Sequence, residues 1–203
     1  MTTIRPGLDT QTESERLFSE FCRHNNLVVD RVPTEVGKTP DFSLRLIDHS
    51  IAVEIKQIES LRGFNQSSVS SRTVGSHVRQ KISEARKQLQ VASRAGQPTI
   101  LLIYNAADPW QLFGTEPHDF LCAMYGELTV HILDGKAGNP VYGRNARLRP
   151  DANTSFGAVG HLTRGADGPR VTIYENVYAA NPLPFSVIPS CIDAVRVVVE
   201  DAA

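Results

Sequence analysis

Asp41, Glu54 and Lys56 are the residues of this 203-residue chain whose types and spacing point most directly to chemistry. Asp41 follows Pro40, and a short alternating stretch separates it from Glu54-Ile55-Lys56. Two carboxylates and a backbone carbonyl are hard oxygen ligands, of the kind Mg2+ takes at about 2.0–2.1 Å while it keeps several waters. A divalent ion held this way activates water and neutralises charge building on a phosphorus oxygen, and a neighbouring ammonium orients the water or stabilises the transition state. The chemistry this set suits is phosphodiester hydrolysis. Asp41 and Glu54 would be ligands of Mg2+, with Mn2+ as substitute, the carbonyl of Ile55 the third ligand, and Lys56 the ammonium.

Such a site needs a scaffold that brings Asp41 to Glu54, and the intervening pattern supplies one. Phe42, Leu44 and Leu46 alternate with polar residues, and Ile51, Val53 and Ile55 do the same after an Asp-His-Ser break, which predicts two half-buried strands and a tight turn. A two-residue loop at Asp48-His49 pairs Ile47 with Ser50, and continuing that register sets Ser43 opposite Glu54 and Asp41 opposite Lys56. The polar side chains then share one face. A slip of one residue would drive the apolar set into water.

A Pro-Asp on one strand followed by Glu-x-Lys on the next resembles the PD-(D/E)XK nuclease superfamily, which has the restriction-endonuclease-like fold. The segment Glu15 to Leu27 looks like that superfamily's first core helix, and the resemblance covers roughly residues 12–105. It implies an additional acidic residue near the metal, and Glu15 is the candidate, with Glu20 its rival. Thr12 and Glu15 also form a capping-box pattern, so Glu15 is equally a helix cap. The resemblance implies an α/β fold with a core of helix, three strands, helix, strand, and a mixed central sheet flanked by helices.

Periodicity agrees with that order. A helix is expected over 12–25, a strand over 27–32, then the hairpin. A long helix follows from His77 to Ala95, with Ser76 as cap and Gly96 as stop, carrying the stripe Val78, Ile82, Ala85, Leu89 and Ala92. The unbroken apolar run Thr99–Tyr104 suits a central strand. Beyond it, Thr115–Tyr125 reads as a short helix with Pro117 in its first turn, and Leu128–Leu133 as a strand. Asp134–Thr154 reads as a surface loop, Ala158–Thr163 and Arg170–Tyr178 as a hairpin around Gly165–Gly168, and Ala194–Val199 as a final buried strand. One domain is expected, with 12–105 as nuclease-like core and 106–203 as a β-rich extension of the same sheet.

Composition sets further bounds. A 41% hydrophobic content suffices for one substantial core. No stretch approaches membrane-spanning length and the N-terminus lacks a secretory apolar run, so a cytoplasmic location without membrane contact is expected. Cys22, Cys122 and Cys191 are odd in number and widely spaced, which favours free thiols. The six histidines show no paired metal-ligand spacing. Gly37-Lys38-Thr39 ends like a phosphate-binding loop, but Val32 occupies the first glycine position and Pro40 follows where a helix should start.

A net charge of −1 gives no overall basic field for a nucleic acid. Basic residues are instead concentrated: Arg79, Lys81, Arg86, Lys87 and Arg94 on the long helix against Glu84, with Arg62 and Arg72 before it. Lys38, Arg62, Arg72, Arg79 and Lys81 are the candidate phosphate contacts, the rival reading being a solvated helix face. The expected function is a Mg2+-dependent nuclease, an endonuclease on DNA first and RNA second. A homodimer cutting both strands is compatible with the motif. The alternative is a catalytically inactive nuclease-like module in a nucleic-acid or defence complex.

Overall fold

The computed structural model describes residues 11–33, 38–60 and 72–198. Within these, the chain forms helix α1 (Glu13–His24), strands β1 (Val28–Arg31), β2 (Phe42–Leu46) and β3 (His49–Ile58), helix α2 (Ser76–Arg94), strand β4 (Thr99–Asn105) and helix α3 (Pro117–Tyr125). Short strands β5 (Leu128–Thr129), β6 (Ile132–Leu133), β7 (Lys136–Ala137) and β8 (Val141–Tyr142) follow, then β9 (Ala158–Gly165), β10 (Gly168–Glu175) and β11 (Ile192–Val195). The fold is α/β, with a mixed seven-stranded sheet in the order β1-β2-β3-β4-β9-β10-β11 and helices on its faces. The strand pairs β1/β2, β2/β3 and β9/β10 are antiparallel, whereas β3/β4, β4/β9 and β10/β11 are parallel.

Two apolar layers hold the helices to this sheet. Leu17, Phe18, Phe21 and Cys22 of α1 cover Phe42, Leu44, Ile51, Val53, Ile55, Ile100 and Leu102 on one face. On the other, the full α2 stripe Val78, Ile82, Ala85, Leu89 and Ala92 is buried, and most of it meets Leu101, Ile103, Val159, Phe120 and Met124. Burying a large aliphatic side chain contributes about 1.5–3 kcal/mol, so this stripe alone anchors α2 firmly. Because β4 lies fourth of seven and is covered on both sides, all of its residues are buried, which is why its sequence is an unbroken apolar run.

Helix α1 starts as its sequence predicts: Thr12 and Glu15 form the complete capping box. Other details differ. The hairpin loop is Ile47-Asp48, one residue earlier than expected, and the ladder pairs Leu46 with His49, Ser43 with Ala52 and Phe42 with Val53. The register is displaced by two residues, so every side chain keeps its expected face. Continuing the ladder one step sets Asp41 opposite Glu54, not Lys56. Helix α2 begins at Ser76 with Gly75, at φ +73°, as its cap. Ser76 is not the cap because the buried Asp119 of α3 accepts the Gly75 amide at 2.7 Å, fixing the chain one residue earlier.

The expected strand over 128–133 divides into pieces of two separate two-stranded ribbons, with Leu128, Ile132 and Leu133 exposed. Among the described residues no helix covers them, and they do not pair with the main sheet. The hairpin β9-β10 forms around Ala166-Asp167. Strand β11 starts two residues earlier than expected, ends at Val195, and is only partly buried because it is a sheet edge. Among the described residues no helix is long and apolar enough to cross a membrane. The three cysteines are unbridged, with Cys22 and Cys122 buried.

Candidate active site

Strand β3 places Glu54 and Lys56 on the face that also carries Ile58, the side covered by α2. The side chains of Ser43 and Ser50 meet on that same face at 2.9 Å. Asp41, just before β2, reaches across to β3, where its Oδ2 accepts the backbone N–H of Ile55 at 2.8 Å. Its carboxylate therefore sits against the Glu54-Ile55-Lys56 backbone.

Glu54 is 1% exposed, and its Oε1 pairs with Lys56 Nζ at 2.6 Å. Its Oε2 is buried and, among the described residues, has no hydrogen-bond partner. An ionised oxygen left without a partner in the interior is costly, so it calls for a proton or a cation. Burial, and then the negative charge of Asp41, push the Glu54 carboxyl up from its ordinary 4.5 to about 7, against the pull of Lys56. Asp41 is also raised, by burial first; the Ile55 amide and Lys56 oppose that shift, while Glu15 adds to it. The Asp41 charge is thus felt at Glu54, and burial acts on both carboxyls, as expected of acids in a poorly solvated place.

Glu15 lies at the rim of this cluster. Its Oε2 accepts the Thr12 amide at 3.2 Å and Arg31 Nη2 at 3.3 Å, so it caps α1 while its charge is felt at Asp41. Glu20 is exposed. Arg31 is a neighbour the sequence did not disclose: as the last residue of β1 it resembles any strand-end cation, and only the β1/β2 pairing brings it beside Asp41 and Glu15. Gln57, which points away from Lys56, accepts the Ser14 amide at 3.1 Å and ties the start of α1 to β3.

The expected phosphate contacts do not form one set. Lys38 is exposed and close enough to Lys87 of α2 that the two ammonium groups repel, lowering the Lys38 pKa. Arg62 lies outside the described residues. Arg72 is held by Asp119 and by Glu116 at 3.5 Å, and lies over the Phe113 ring. Arg79 is buried, donating to the carbonyls of Val74, Cys122 and Asn145 at 2.7, 3.1 and 3.2 Å. Lys81 pairs with Glu84 at 2.8 Å. Glu84 also accepts from Gln80 at 2.7 Å and lies near enough to Lys56 for their charges to interact.

Among the described residues no group of three or more His, Cys, Asp or Glu side chains is placed to share a metal ion. The site offers two carboxylates and backbone. Comparison of the chain with protein-family models, with curated proteins and with solved structures gave no match.

Proposed function

We propose that this chain is a divalent-cation-dependent nuclease of the PD-(D/E)XK type, built on a restriction-endonuclease-like core and acting on DNA. The observation that carries this reading is the meeting of Asp41 and Glu54 beside Lys56, with a buried Glu54 oxygen left without a partner. The order α1, antiparallel β1-β2-β3, α2, then β4 parallel to β3, supports it.

Asp41, Glu54 and the Ile55 carbonyl would hold Mg2+ or Mn2+, since an all-oxygen donor set without His or Cys suits these hard ions. When bound, the ion supplies Lewis acidity and an activated water for attack on phosphorus. The residues' own contributions are distinct. Asp41 is fixed by the Ile55 amide, so its second oxygen is presented without a search through rotamers. Glu54 is held rigid by burial. Lys56, beside Glu54 at 2.6 Å, would orient water or offset the charge on the leaving phosphate oxygens. Glu15 and Arg31 form an outer pair that sets the field at Asp41.

Asp41→Asn keeps an acceptor for the Ile55 amide and removes the charge, so the variant should fold and lose metal-dependent cleavage. Lys56→Ala should fold and lose about 10²–10³-fold in rate. The assay is nicking of supercoiled and linear duplex DNA, single-stranded DNA and RNA with Mg2+ or Mn2+. If the natural chain cuts none of these, or both variants cut as it does, the proposal fails. One observation favours a non-catalytic module as the second reading: Lys56 already neutralises Glu54 at 2.6 Å. Metal-independent nucleic-acid binding without any cleavage would select it.

A further inference from the structure

A groove of about 900 Å³ runs between the N-terminal half of α2 and residues 143–149, away from the carboxylates. Among the described residues four arginines line it, Arg79, Arg144, Arg147 and Arg149, and no acidic one does. Arg79 and Arg149 have carboxylate partners outside it, Glu127 at 3.6 Å and Asp151 at 3.1 Å. Arg144 and Arg147 are exposed, and among the described residues their guanidinium groups have no ion pair or hydrogen bond. In a chain whose net charge is −1, this is a local concentration of unneutralised positive charge.

The backbone beneath those side chains is fixed. Glu127 donates its amide to the Arg144 carbonyl at 2.8 Å, and the amides of Arg147 and Leu148 donate to the carbonyls of Ala123 and Met124 at 3.0 and 2.9 Å. Arg79 reaches the Asn145 carbonyl from α2, and Leu148 is 1% exposed. Gly126 makes this docking feasible: a Cβ there would lie 2.2 Å from the Gly143 carbonyl oxygen. Because this backbone is already pinned, meeting an anion orders only the two guanidinium side chains and not the loop that carries them.

We propose that this groove binds the phosphate backbone of duplex nucleic acid and leads it to the Asp41–Glu54 site, an assignment that rests on the nuclease reading for the groove's purpose. Gln80 lines both this groove and a smaller cavity of about 150 Å³ walled by Gln57, Ile58 and Lys81 at the end of β3. Gln80 and Lys81 both hold Glu84, which is near enough to Lys56 for their charges to interact, so α2 borders both the groove and the neighbourhood of the carboxylates. From Ser76 to Glu84 the helix rises roughly 12 Å, about three base-pair steps. Thr73 and Ser76 add hydroxyl donors of the kind that position a phosphate chain. Among the described residues no aromatic side chain lines the groove, and none there offers the stacking platform by which unpaired bases are held. That favours duplex over single strand and contact without base readout.

The test is fluorescence anisotropy of the full chain with a labelled 20-base-pair duplex in chelator across a range of salt, comparing the natural chain, Arg144→Ala/Arg147→Ala and a control, Arg45→Ala/Arg170→Ala. The groove variant should bind about tenfold more weakly or worse at low salt, and its slope of log K against log[salt] should be shallower by about 2. It should melt at the natural temperature, and the control should match the natural chain. A natural chain that binds no duplex, a groove variant with unchanged affinity and slope, or a control equally impaired overturns the assignment. The two proposals fail separately: groove-dependent binding without cleavage removes the nuclease alone, and cleavage undiminished in the groove variant removes the groove alone.

Discussion

Glu54 combines near-complete burial, an unpartnered oxygen and a carboxyl displaced to about 7 by burial and the Asp41 charge. A raised folded-state value means that the folded chain holds this proton more tightly than the unfolded one. The associated stability is complete below about 4.5, the ordinary value, and is lost as pH rises through about 7. In the presence of a chelator, Glu54→Gln should therefore gain on the natural chain between about pH 5 and pH 8, by roughly 2–3 kcal/mol. Urea unfolding at the two pH values measures it, and a difference that does not change with pH would refute this account of Glu54. Asp41, Glu54 and Lys56 were readable from the sequence because their spacing and alternation are local. Arg31 and Glu84 were not, since each joins the site through a partner strand or helix distant in the chain.

The elements around the site show where local patterns suffice. Apolar alternation decides which face of a strand is buried but is blind to a register shift of two, which preserves both faces. The shift here follows the turn, where Ile47 adopts φ +50° at a position that ordinarily favours glycine. The α2 stripe and the α1 capping box were readable for the same reason that their contacts are local or periodic. The start of α2 was not, because a tertiary network sets it: Asp119, buried in α3, accepts from Gly75, Glu116 and Arg72. Asp119→Ala leaves the Gly75 amide without its side-chain acceptor and the Arg72 charge with only Glu116, and should cost about 2–4 kcal/mol. Thermal or chemical denaturation measures this, and a loss below about 1 kcal/mol would show that the network does not hold the two helices together. The apolar letters of 128–133 misled in the opposite sense, since hydrophobicity alone cannot say whether any element is positioned to cover a strand.

At the level of the molecule, one sheet carries both the carboxylate-bearing hairpin and the β9–β11 extension, while α2 covers the sheet face that carries Glu54 and also lines an arginine-rich groove. An overall charge near zero conceals this separation of an acidic centre from an arginine-lined groove. The nuclease reading requires that Asp41 and Glu54 share a single cation, and diffraction from crystals soaked in Mn2+ tests that directly through its anomalous signal. The account predicts one peak at about 2.0–2.3 Å from an oxygen of each carboxylate, with the Ile55 carbonyl completing the set and Lys56 displaced from Glu54. No peak between the two carboxylates, or manganese bound only elsewhere, would contradict it.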